Sequence, residues 1–114
     1  MIKIIYEPGR ITVTGHAGFA PPGQDIVCSA ISVLVQTLSR SVAQLTDDMA
    51  EGLEIPGKAI IITEHLSDER AKLLVDAFLI GVNGVAEAYA DYVEIIDTRE
   101  CRGGNSNPAG AKGE

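Results

Sequence analysis

Two kinds of hydrophobic pattern alternate along the chain. IKIIY (2–6) and ITVT (11–14) are short β-branched runs separated by EPGR, and the Pro8-Gly9 pair makes them read as a hairpin. From Asp25 to about Met49 the apolar residues Val27, Ile31, Leu34, Leu38, Val42, Leu45 and Met49 recur every three or four positions, the stripe of one long helix. Asp25 stands where an N-cap belongs, able to accept the backbone N–H of residue 27 or 28, and Gly52 falls just beyond the helix end. LEI (53–55), a Pro56-Gly57 turn and KAIIIT (58–63) then repeat the strand-turn-strand pattern.

Ser67 is the expected cap of a second helix, with Asp68 and Glu69 in its first turn, where the helix dipole favours negative charge. That helix runs through Leu73, Leu74, Ala77, Phe78 and Leu79 to about Tyr89. Gly81 and Gly84 lie inside it, marking either close packing or a bend, and YVEII (92–96) is the final strand. The order β-β-α-β-β-α-β predicts an α+β fold: a two-layer sandwich of a mostly antiparallel sheet and two helices.

A length of 114 residues is enough for one core and too short for two, so residues 1–99 are expected to form a single domain. The remainder, 100–114, has little to bury and reads as a disordered tail. No continuous apolar run reaches bilayer-spanning length, and the N-terminus reads as a strand rather than a signal peptide, so no membrane partner and a cytoplasmic location are expected. A formal net charge of −7 disfavours nucleic acid and favours a basic partner.

Chemistry concentrates in GHAGFAPPGQDIVC (15–28). On a helical wheel Cys28 falls about 100° from Val27, on the flank of the buried stripe toward Ser32 and Ser39. It also sits in the first helical turn, whose N–H groups and dipole favour a thiolate and can hold an oxyanion. His16 closes the second strand, and the connection is long enough to fold back on Cys28. A thiol beside an imidazole is the minimum for cysteine nucleophilic catalysis. Gly18, Phe19, Ala20, Pro21 and Pro22 would then form a flap over the site. The residues alone leave a second reading open: a packing cysteine and a surface histidine, with Asp25 only a cap.

Other sites are weaker. The glycines do not spell a dinucleotide or P-loop motif, and a zinc site would need His16, Cys28, His65 and Cys101 to converge from remote positions, so neither a cofactor nor a metal is expected. His65 reads as solvent-facing and Cys101 as a bystander thiol, and a redox pair of Cys28 with Cys101 lacks a docking element. Asp47, Asp48 and Glu51 oppose the dipole at the first helix's end and read as a solvated face.

The segment GHA…GQDIVCSAISVL resembles the signature of the ribosomal-processing cysteine protease family, Prp or YsxB-like. Gly15, His16, Ala17, Gly23, Asp25, Ile26, Val27, Cys28, Ala30, Ser32, Val33 and Leu34 match, and YADYVEI (89–95) is similar to the family's closing element. Ser29 stands where an alanine is commonest. The resemblance spans about residues 1–98. It implies a bacterial, homodimeric cysteine endopeptidase that removes a short N-terminal extension from a large-subunit ribosomal protein, cutting after paired aromatic residues. Phage-associated relatives would cut capsid or scaffold proteins. It also implies Cys28 as nucleophile, His16 as general base, Asp25 in support and residues 18–22 as the substrate flap. The alternative function is a non-catalytic peptide-binding dimer acting in ribosome or capsid assembly.

Overall fold

The computed structural model describes residues 1–21 and 23–98; the expected tail, Cys101 and Pro22 lie outside the described residues. Seven elements follow in the anticipated order: β1 (Ile2–Glu7), β2 (Arg10–Thr14), α1 (Ile26–Leu45), β3 (Glu51–Ile55), β4 (Lys58–Ile62), α2 (Glu69–Ala88) and β5 (Val93–Asp97). The strands form one sheet in the order β3-β4-β2-β1-β5. Every neighbouring pair is antiparallel except β1–β5, which is parallel with Ile4 opposite Ile95. The fold is therefore the α+β sandwich the pattern predicts.

Period-two alternation builds the core. Rows Ile4–Val13–Ala59 and Tyr6–Ile11–Ile61 run across three strands and are buried, while the alternate positions face away from the helices. From α1, Val27, Ile31, Val35, Leu38 and Val42 close over this surface; from α2, Ala71, Val75, Phe78, Leu79 and Val82 do so. Ile4, Ile11, Val27, Val42 and Val82 are sealed from solvent. By length and composition α1 would pass for a membrane span, unlike any continuous apolar run in the sequence. Its apolar stripe is instead packed in the core, and Ser29, Ser32, Gln36, Arg40 and Gln44 face outward.

Several boundaries differ from the sequence pattern. The first helix ends at Leu45, not near Met49: Thr46 turns extended and caps it, its N–H and hydroxyl both donating to the Val42 carbonyl. Leu45 and Met49 are consequently exposed, and Val35 takes the core position given above to Leu34, which is only half-buried. The cap of α2 is Asp68 rather than Ser67. Gly52, expected beyond a longer helix, is inside β3.

The acidic cluster is not merely solvated. The Asp48 carboxylate accepts the backbone N–H groups of Ser67 (2.9 Å) and Asp68 (2.7 Å), tying the end of α1 to the start of α2. Asp68 in turn accepts from the Arg70 backbone and guanidinium, which hold its carboxyl well below the usual carboxylate range.

The helix layer stops short of one edge of the sheet. All five residues of β3 are exposed. The gap between α1 and the β3–β4 hairpin is the cleft described next.

Candidate active site

Two backbone features bring the ends of segment 15–28 together. Gly15, at φ +93°, turns the chain out of β2, and its N–H donates to the Gly57 carbonyl (2.9 Å). A Cβ at Gly15 would collide with the Met1 carbonyl oxygen, so the turn requires glycine. The Met1 nitrogen donates to the His16 carbonyl (2.7 Å). The chain then crosses to the first turn of α1, where Ala17 N–H donates to Cys28 Sγ at 3.3 Å.

Asp25 organises this turn. It is a buried carboxylate, 8% exposed, held mainly by backbone amides, with the Cys28 side chain as a further hydrogen-bond partner. Oδ1 accepts Val27 N–H and Cys28 N–H, both at 3.0 Å, and Oδ2 accepts Phe19 N–H at 3.1 Å. The Cys28 amide is the main reason its carboxyl lies below the ordinary value of 3.8; burial opposes this, and the Phe19 and Ala20 amides reinforce it. One side chain thus caps the helix and anchors the connecting loop.

Cys28 is half-buried. It lines a cleft of about 450 Å³ whose floor is Ile2, Val13, Ile31, Val35 and Ala59 and whose outer wall is the turn from Glu54 to Lys58. His16 lines the same cleft. Its ring rests on the β3–β4 turn, close enough that a Cβ on Gly57 would lie 3.0 Å from Nε2. No hydrogen bond joins the imidazole to Cys28 among the described residues. Both side chains line one cleft, and His16 is exposed.

Of the loop expected as a flap, the described residues Gly18, Phe19, Ala20 and Pro21 do not line this cleft. Phe19 packs edge-on against Tyr89 (centroids 5.6 Å apart) and Tyr92 (5.2 Å), beside the start of β5. Gly18 and Gly23, both at positive φ with open space around them, flank that anchor. Ala20 and Pro21 lie between them. The pattern of the sequence missed two parts of the site. The Pro56-Gly57 turn reads as punctuation yet walls the cleft. The Tyr89/Tyr92 pair reads as a helix end and a strand start, yet it seats the loop. His65 is exposed and does not line the cleft, and Cys101 falls outside the described residues.

Comparison with known proteins decides the family. Residues 1–94 match the family model described as cysteine protease Prp. This chain belongs to the Prp family of cysteine proteases. A curated relative, the ribosomal processing cysteine protease Prp of Mycoplasma pneumoniae, is 26% identical over 102 residues, which are 88% of this chain and 98% of that protein. The fold matches the ribosomal processing protease Prp from S. aureus, solved with a covalently linked product peptide, at TM-score 0.77 and 18% identity over 85% of this chain and 97% of that one. It also matches a Streptococcus mutans protein at TM-score 0.68 and 29% identity, over 85% of this chain and 93% of that one. The Prp assignment makes the chain a cysteine peptidase, and it does not favour the alternative of a non-catalytic binding protein.

Proposed function

We propose that this Prp-family chain is an endopeptidase whose nucleophile is Cys28 and whose general base is His16. The observation that carries the reading is the shared cleft: the thiol at the start of α1 and the imidazole at the end of β2 both open into it. His16 swings from the Gly57 turn to the sulfur, takes its proton, and the thiolate attacks the scissile carbonyl carbon. His16 then gives the proton to the departing amine, leaving a thioester on Cys28. Water, deprotonated by the same imidazole, cleaves the thioester and restores the thiol. Asp25 supports this without touching the ring, since it holds the turn that carries Cys28 and the loop that follows His16.

The apolar cleft floor suits a large hydrophobic side chain of an extended peptide. The substrate we propose is the N-terminal extension of a large-subunit ribosomal protein, cut after paired aromatic residues, or a phage capsid or scaffold protein with a similar site. Relatives named for ribosomal processing support this, as does a net charge of −7 that would steer a basic substrate. A bacterial, cytoplasmic homodimer acting on protein and not on nucleic acid completes the proposal. The test is incubation of a ribosomal-protein extension carrying a Phe-Phe site, with products read by mass spectrometry. The native chain cuts it, and Cys28→Ala abolishes the cut while leaving the melting curve in place. Cleavage surviving in Cys28→Ala would overturn the assignment.

A further inference from the structure

The first turn of α1 has no spare amides at residues 27 to 29. Asp25 Oδ1 takes the N–H groups of Val27 and Cys28, and the Asp25 carbonyl takes that of Ser29 at 3.1 Å. The expectation that these amides hold an oxyanion therefore fails for all three, because recruiting one would dismantle the helix cap. Among the described residues, a main-chain N–H from outside the helix, that of Ala17, donates to the sulfur. When Sγ attacks a carbonyl, the oxygen that gains charge is bonded to the carbon attached to that sulfur. A donor aimed at the sulfur is a small displacement away from it. Sulfur is a weak acceptor and loses its negative charge on attack, while the oxygen gains one, so the hydrogen bond strengthens as the transition state forms.

We propose that the Ala17 N–H is an oxyanion donor of this peptidase, and that Phe19 is the residue that holds it in place. The peptide group between His16 and Ala17 is fixed at both ends, its carbonyl by the Met1 nitrogen and its N–H by the sulfur. Ala17 itself is buried. Two residues on, the Phe19 N–H is held by Asp25 and its ring by Tyr89 and Tyr92. Base and oxyanion donor thus come from consecutive residues, His16 and Ala17. The inference rests on Cys28 being the nucleophile.

The test replaces that N–H by oxygen. A synthetic 1–27 thioester with L-lactate in place of Ala17 is ligated to residues 28–114 through Cys28, the natural junction. Native and ester chains are assayed on a fluorogenic Phe-Phe peptide. The ester chain is expected to lose on the order of 100-fold in kcat with KM within about twofold. Phe19→Ala, made by ordinary expression, should lose about tenfold in kcat, with Phe19→Tyr restoring most of it. An ester chain with kcat within about twofold of native, or a loss carried by KM alone, overturns the donor role. If the ester chain does not fold, the Phe19 pair decides: equal kcat in Phe19→Ala and native overturns the proposal. A native chain that cuts nothing overturns the nucleophile assignment beneath it, which is a separate outcome.

Discussion

Asp25 gathers three backbone N–H groups on one carboxylate, and the pH dependence of stability follows from that. Its carboxyl is more acidic folded than unfolded, so it stabilises the fold above the ordinary carboxylate range, and the contribution fades as pH falls through its lowered value. Asp25→Asn removes the titration and turns an amide NH2 toward one of its donors. The variant should melt about 5 °C below the native chain at pH 7. By pH 3 the gap should narrow, and thermal melts at the two pH values check it. Asp25 was legible as a cap because a carboxylate before an apolar stripe has one simple local use. Its grip on Phe19 was not, because that contact depends on how a glycine-rich loop folds back. Cys28 on the flank of the stripe was legible from angle alone, and the structure places it in the cleft beside Ser32.

Helix packing settles what the two glycines of α2 do. A Cβ on Gly81 would lie 2.9 Å from Leu34 Cδ2, so this glycine lets α2 approach α1. Nothing lies within 4 Å of a Cβ on Gly84, and its φ is not positive. Gly84→Ala should therefore stabilise the chain by about 0.5–1 kcal/mol through helix propensity, visible as a higher urea midpoint. Gly81→Val should destabilise it by about 1–3 kcal/mol as Leu34 is displaced. At the junction of the helices, Asp48→Ala leaves the Ser67 and Asp68 amides without their acceptor and should cost about 1–2 kcal/mol. Element type and order were readable from periodicity because strands and helices differ so plainly in repeat. The end of α1 was not, since Leu45 and Met49 continue the stripe while Thr46 breaks the backbone. Tertiary bonding to Asp48 overrode the pattern there.

At the scale of the molecule, the site exists because two helices cover a five-stranded sheet incompletely. The uncovered strip over β4 and β3 is the cleft, and the sequence could not announce it, because absence of cover is a property of the assembled layers. The same assembly has a consequence in time. The pair that seats the loop, Tyr89 and Tyr92, lies at the junction of α2 with β5, the last strand among the described residues, which forms one edge of the sheet by pairing alongside β1. A polypeptide still leaving the ribosome would carry its thiol and imidazole long before it carried their brace. A chain halted after residue 88 should accordingly hold Cys28 and His16 yet cleave nothing, and adding the missing residues should switch it on.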